Sequence, residues 1–205
     1  MLIQAIVLKL HKKLITVKSS RNVILNILKE HIFQLFSKAG LPKGVLNIIQ
    51  GEGETGALLT SNPDVAKVSF TGSVSTGTKI MQSAAEGIRN VTLELGGKSP
   101  LIIFDDADLK NAVKGALMAN FFTQGQVCSN AARVFVQRGI YLEFLTAFVD
   151  QAKRMKIGDP FNEDTTVGAT ISKDHADKVM SYIESAVSEG AKIECGGERV
   201  QLGGT

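Results

Sequence analysis

The 205-residue sequence contains no tryptophan, two tyrosines, four prolines and two cysteines. With Cys128 and Cys195 lying 67 positions apart and neither at CxxC spacing, a disulfide framework and a cysteine-rich zinc module are both excluded. A reducing compartment fits this cysteine usage. Without tryptophan the chain lacks the best ring for caging a quaternary ammonium group. Four prolines against 20 glycines point to tight turns and away from extended linkers. No run approaches the roughly 20 uncharged apolar residues of a membrane span, since Lys9, Lys12 and Lys13 interrupt the apolar start. No repeat or low-complexity tract is present.

What is there is an ordinary globular composition, 44% hydrophobic and 21% charged, over a length suited to one large domain or parts of two. The net charge of +3 is uneven. Residues 1–34 carry Lys9, Lys12, Lys13, Lys18, Arg21 and Lys29 against Glu30 alone, whereas the rest of the chain is slightly acidic. The body therefore has no nucleic-acid footprint. In the first ten residues the positive charges follow the apolar run, the reverse of a secretory signal. A basic, acid-poor start also allows a mitochondrial presequence; the reading adopted is a bland structural or irregular segment in a cytoplasmic protein.

From about residue 35 short apolar runs alternate with helical patterns, the order expected of an α/β protein with a largely parallel sheet. Strands are expected at Val45–Gln50, Val65–Phe70, Val91–Leu95, Leu101–Phe104 and Val134–Val136. Between them, Gly40 closes a helix, Gly53–Thr60 forms a short helix before Asn62-Pro63, and Thr76, Ile80 and Ala84 mark another running to Gly87. Asp105, Asp106 and Asp108 suit the positive end of a helix that buries Leu109, Ala112, Val113, Ala116 and Leu117. Leu145, Phe148, Val149 and Ala152 mark the next. A last helix over Lys173–Glu189 ends at Gly190, with one more strand beginning at Ala191–Glu194.

Two glycine motifs invite a nucleotide reading. Gly51-Glu52-Gly53-Glu54-Thr55-Gly56 fits GxGxxG, but two glutamates stand where a pyrophosphate would bind and no acid follows about 20 residues on. Gly97-Lys98-Ser99 resembles the end of a P-loop, yet Thr92 stands where the first glycine is required. Phe70-Thr71-Gly72-Ser73 is better placed, because it joins a strand to a helix start where unpaired N–H groups attract an anion. On these four residues alone, an ordinary serine-capped helix is the favoured reading. Glu94 interrupts the apolar strand Val91–Leu95, a position from which a carboxylate can reach a cleft as a base or sit as a partnered structural acid. Cys128 follows a helix and Gly125, where a thiol can be partly exposed, whereas Cys195 reads as buried filler.

Phe-Thr-Gly-Ser at 70–73, Val-Thr-Leu-Glu-Leu-Gly-Gly-Lys-Ser-Pro at 91–100 and Gly-Gln-Val-Cys at 125–128 resemble, in order and spacing, the signatures of NAD(P)-dependent aldehyde dehydrogenases. The similarity runs from about Ser37 to Gly197, and Phe121–Val136 most resembles the betaine aldehyde and 4-trimethylaminobutyraldehyde dehydrogenase branch. The resemblance implies a partial Rossmann-like cofactor domain, residues 1–95 with 1–34 divergent, followed by a partial α/β catalytic domain from residue 96. It implies NAD as cofactor, Cys128 as the nucleophile that forms a thiohemiacetal and then a thioester, and Glu94 as the base that activates the hydrolytic water. Gly72 and Ser73 would hold the cofactor diphosphate, with Val74, Ser75, Thr76, Gly51 and Leu95 completing the cofactor set. No metal is implied.

The partner implied is a small-molecule aldehyde, with neither nucleic acid nor membrane, and relatives of full length are implied to be homo-oligomers. By the same resemblance the chain corresponds to a central portion of such an enzyme, without motif matches for an upstream oxyanion Asn or the downstream Glu-x-Phe-Gly-Pro segment. The alternative function is therefore a catalytically inactive remnant or interaction protein of the same fold. A cysteine hydrolase pairing Cys128 with His175 is disfavoured, because His175 falls in a solvated helical stretch.

Overall fold

A computed structural model describes residues 5–10, 13–18, 31, 34–200 and 202. The chain divides into two compact units, Met1–Gly96 and Gly97–Thr205. The first carries a five-stranded sheet made of β1 (Ala5–Leu10), β2 (Lys13–Lys18), β3 (Leu46–Gln50), β4 (Lys67–Gly72) and β5 (Asn90–Leu95). Its order is β3-β2-β1-β4-β5. Only β1 runs against the others, pairing antiparallel with both β2 and β4, while β2–β3 and β4–β5 are parallel pairs.

Within the first 34 residues, read from the sequence as a bland structural or irregular segment, β1 and β2 are the structural part. The pair lies in the middle of the sheet, with Ile6 registered to Val17 on one side and to Phe70 on the other. Both strands are rich in β-branched residues, Ile6 and Val7 in one and Ile15, Thr16 and Val17 in the other, which suit a pleated surface.

Two helices, α1 (Gly53–Ser61) and α2 (Val74–Ala85), follow β3 and β4 in the chain. Helix α2 buries Gly77, Ile80 and Ala84, spaced by three and four as a single stripe requires. Val65, Val68, Phe70 and Ile80 form the core, with Leu59, Val91, Leu93 and Leu95 packed against them. Full burial of a side chain such as Phe70 contributes about 1.5–3 kcal/mol. Along β5 burial alternates, so Val91, Leu93 and Leu95 face this core while Thr92 and Glu94 are exposed on the other side.

Arg89 ties the helices to the sheet. Its guanidinium donates to the Thr60 carbonyl at 2.6 Å, the Asn62 carbonyl at 3.0 Å and the Ser83 carbonyl at 2.6 Å, satisfying helix-end acceptors that would otherwise lack partners. Just before it, Ile88 has φ +50° and is 93% exposed. The end of α2 is closed by the Arg89 N–H bonding the Ala84 carbonyl at 3.0 Å, a reversal that places Ile88 in the left-handed region usually given to glycine.

The second unit has a two-stranded parallel sheet, β6 (Pro100–Ile103) with β7 (Arg133–Val136), and three helices: α3 (Leu109–Phe121), α4 (Tyr141–Lys153) and α5 (Lys173–Ser188). Asp108 caps α3, accepting the Asn111 N–H at 2.7 Å. Ile103, Val113, Ala116 and Phe144 are buried together, and Phe148 stacks on both Phe144 and Phe121 with centroids 5.6 and 6.2 Å apart. Ser172 caps α5, accepting the His175 N–H at 3.1 Å. No strand forms at 191–194, contrary to expectation. Within α5, Asp177 pairs with Lys173 and, from beyond the helix, with Arg199, both of which hold its carboxyl below the usual carboxylate range. Beyond α5 the chain passes through positive φ at Gly190, Gly196 and Gly197.

The left-handed conformation costs a β-branched residue about 1–2 kcal/mol. Ile88→Gly is therefore expected to raise stability by about 1 kcal/mol, read as a higher urea midpoint at unchanged m-value. A fall in the midpoint would mean that the exposed isoleucine makes a compensating contact.

Candidate active site

The carboxyl end of β4 and the start of α2 make one continuous junction. Ser73 stands at the helix N-cap with φ −76° and ψ 150°, and its hydroxyl accepts the Thr76 N–H at 3.2 Å. The same Oγ donates to Thr76 Oγ1 at 2.9 Å and lies 3.1 Å from Ser75 Oγ. No acidic residue occupies the first turn of α2. This terminus presents hydroxyls, free helix donors and the positive end of a helix dipole, which is the chemistry of an anion site.

The start of α1 differs. Glu52 is its N-cap and Glu54 lies in its first turn, so two carboxylates occupy the region a phosphate would enter. Gly51 directly follows β3, three strand spacings from β4, about 14 Å across the sheet. A Cβ on Gly51 would overlap Thr55, so glycine is required there by a tight turn. Of the residues expected to hold a cofactor, the structure brings together Gly72, Ser73, Val74, Ser75, Thr76 and Leu95, and sets Gly51 apart along the same sheet edge.

Two glycines hold this junction. A Cβ on Gly72 would run into the ring of Phe70, which is 1% exposed. On Gly77 it would come within 2.7 Å of the Leu95 side chain, so this glycine permits close approach of α2 to the end of β5. Sequence reasoning passed over Gly77; the Gly72–Gly77 spacing across a strand-to-helix junction was the available signal. Parallel register sets Thr71 beside Glu94 and Gly72 beside Leu95, and the Gly96 N–H bonds the Gly72 carbonyl at 3.2 Å. The Glu94 carboxylate is exposed, on the sheet face away from the apolar core.

Cys128 lies in the second unit. Helix α3 passes into a 3₁₀ turn, Phe122–Gly125, in which Thr123 (φ 51°, ψ 44°), Gln124 (φ 54°, ψ 31°) and Gly125 (φ 71°) are successively left-handed. This reversal swings the chain out of the helix axis and presents Cys128 exposed. The loop is anchored at its base. The Gln126 N–H bonds the Thr123 carbonyl at 2.9 Å, the Ala131 N–H bonds the Ala119 carbonyl at 3.0 Å, and the Asn130 side chain reaches the Asn120 carbonyl at 3.4 Å. Among the described residues no acceptor takes the Cys128 N–H.

Cys195 is also exposed, which corrects its reading as buried filler. It lies in an irregular stretch beyond α5, where no strand forms to cover it. His175 sits in the first turn of α5, and its imidazole is held below the ordinary value by burial, with the charge of Lys178 adding to the effect. No hydrogen bond joins it to Cys128 among the described residues. Those residues also contain no cluster of three potential metal ligands and no helix long and apolar enough to cross a membrane.

Sequence comparison settles the class. A profile of the aldehyde dehydrogenase family matches residues 14–204, and the chain belongs to that family. The match begins inside β2, earlier than the Ser37 expected from the motifs. The chain is 58% identical over 165 residues to 4-trimethylaminobutyraldehyde dehydrogenase B of Danio rerio, covering 80% of this chain and 32% of that protein. It is 57% identical over 165 residues to the human 4-trimethylaminobutyraldehyde dehydrogenase, covering 80% of this chain and 33% of that one.

Among solved structures, a Staphylococcus aureus betaine aldehyde dehydrogenase in complex with NAD+ aligns with TM-score 0.85 at 42% identity, over 90% of this chain and 37% of that chain. The NAD+ complex of a Bacillus cereus aldehyde dehydrogenase aligns with TM-score 0.88 at 40% identity, over 94% and 39%. The chain thus spans about a third of the length of the curated relatives it matches.

Because the Phe70 ring is fixed in the core, Gly72→Ala is expected to destabilise the first unit by about 1–3 kcal/mol. Chemical denaturation followed by circular dichroism measures this. An unchanged midpoint would show that Phe70 can move aside and that glycine is not needed for packing.

Proposed function

We propose that the chain carries the nucleophile, the hydrolytic base and the cofactor-diphosphate site of an NAD-dependent oxidation of an aldehyde to its carboxylic acid. The first unit would belong to the cofactor domain and the second to the catalytic domain. The observation that carries the reading is Cys128, exposed at the end of a left-handed turn with its own N–H unclaimed among the described residues. The start of α2 supports the cofactor half, since its hydroxyls and acid-free first turn suit a diphosphate.

In this reading the Cys128 thiolate attacks the aldehyde carbon. A C–S bond forms as the carbonyl π electrons move to oxygen, giving a thiohemiacetal oxyanion that the Cys128 N–H can stabilise. NAD, when bound, supplies the acceptor for the hydride that leaves this carbon with its electron pair. The oxyanion then collapses to a thioester on Cys128. Glu94 takes a proton from water, whose oxygen attacks the thioester carbonyl, and the C–S bond breaks to release the acid and the thiolate. Ser73, Ser75 and Thr76 bind and orient the cofactor diphosphate through hydroxyls and the first-turn N–H groups. The names of the relatives favour a trimethylammonium-bearing aldehyde as substrate.

In the full polypeptide that carries these residues, Cys128→Ala is expected to lower aldehyde-dependent NADH formation by at least about a thousandfold, while Cys195→Ala leaves it nearly unchanged. Comparable losses from the two substitutions would remove Cys128 from its role. An aldehyde-derived adduct on Cys128, formed with and without NAD and followed by mass spectrometry, distinguishes an active site from a non-catalytic relative of the same fold.

Glu94→Gln is expected to keep a stoichiometric burst of NADH while steady turnover falls by about 10²- to 10⁴-fold, with the thioester accumulating. Loss of the burst in a folded variant would place Glu94 before hydride transfer.

A further inference from the structure

We infer that Gln124 is a positioning residue for Cys128, holding the nucleophile loop in its left-handed form by bridging the loop to the backbone of Gly168. The inference rests on the reading of Cys128 as nucleophile, and Gln124 itself does not touch the reacting atoms.

Thr123 and Gln124 are consecutive non-glycine residues with φ of 51° and 54°. Such conformations cost of order 1–3 kcal/mol each and persist only where surrounding contacts over-determine them. Thr123 is β-branched, for which the penalty is greater than for most residues. Glycine at either position would relieve the cost, yet only Gly125 takes advantage of it. The bend also has a definite consequence, since it occurs just before Cys128 and turns the chain away from the axis of α3.

The contact that holds the bend is specific. With its side-chain amide oriented to suit both neighbours, Gln124 accepts the Gly168 N–H at 3.1 Å and donates to the Thr123 carbonyl at 3.2 Å. One side chain therefore ties the left-handed turn to itself and to a segment 44 positions further along the chain. That segment is itself fixed. Ile157 bridges Val167, the Gly158 N–H bonds the Val167 carbonyl at 3.0 Å, and the Val167 N–H bonds the Lys156 carbonyl at 3.0 Å. Gly168 also lies close enough that a Cβ there would come 3.2 Å from the tip of the Gln124 amide. Glycine at 168 leaves room for the glutamine amide beside the main chain.

A brace of this kind sets where the sulfur stands. Displacing a reacting group by about 1 Å can cost about 10² in rate. The geometry therefore assigns to Gln124 an effect on the chemical step that is separable from folding: relaxing the turn should stabilise or leave unchanged the protein while lowering the reactivity of the cysteine.

The test uses Gln124→Gly, Gln124→Ala and Gly168→Ala in the full polypeptide, with Cys128→Ala as control. Gln124→Gly and Gln124→Ala should lower kcat by about 10- to 100-fold with the aldehyde KM changed little, and Gln124→Gly should melt at or above the wild-type temperature. Gly168→Ala, carrying no chemistry of its own, should lower kcat in the same direction. Alkylation of Cys128 by iodoacetamide, resolved peptide by peptide against Cys195, should slow for Cys128 alone. Full activity and full alkylation rate in all three variants would overturn the inference, as would losses that follow melting temperature in each. Retention of activity in Cys128→Ala would instead overturn the assignment of the nucleophile, so the two failures are distinguishable.

Discussion

The first unit depends on how closely the backbone can approach its neighbours where β4 becomes α2. Phe70 fills the space into which a side chain at position 72 would project, and Gly77 lets α2 come down onto Leu95. These contacts set the depth at which the helix start lies against the sheet. Ser73 then caps the helix, and the donors of its first turn point out beyond the carboxyl ends of the strands. In open α/β sheets that edge is where ligands gather. The same packing places Glu94 and Leu95 beside Thr71 and Gly72, so the carboxylate and the start of α2 are set by one parallel strand pair. Core, cap and site are thus consequences of a few close approaches, and a change at any one of them is felt by the others.

The second unit meets a different constraint. Its core, built from Ile103, Val113, Ala116 and Phe144, has ordinary helical and strand geometry around it, with Asp108 closing the start of α3. Departure from regularity is concentrated in the turn before Cys128. A helix that continued through Thr123 and Gln124 would carry the cysteine along its own axis; the left-handed turn presents the thiol outward instead. The free energy stored in that turn is balanced by contacts at its base and by the bridge to Gly168. Local strain near a reactive group is a common arrangement, because a site must hold geometry that the chain would not adopt unaided.

Much of this architecture was legible in the sequence. The strands from β3 onward and the helices between them are short-range patterns of apolar spacing, and the caps at Ser73, Asp108 and Ser172 are the residue types that accept first-turn N–H groups. The glutamate and cysteine motifs were equally plain, since each is a contiguous string. The strands β1 and β2 were not legible because their place in the sheet depends on β4, far along the chain, where Ala5 is registered to Thr71. Cys195 was misjudged because exposure depends on whether other segments cover it, which residue type alone does not decide.

The sequence by itself determined the class of the protein, the order of its elements and the residue types available for nucleophile, base and anion binding. These are properties of local spacing and of short motifs, and each residue carries them wherever the chain goes. Only the tertiary structure decided that β1 runs antiparallel inside an otherwise parallel sheet, that Gly77 lies against Leu95, and that Thr123 and Gln124 are left-handed. No signal in the residue names announces the last of these, since neither is glycine. The conformation exists because Gly168, 44 positions away, supplies the N–H that Gln124 accepts, and a contact between distant segments is settled only when the chain has folded around it.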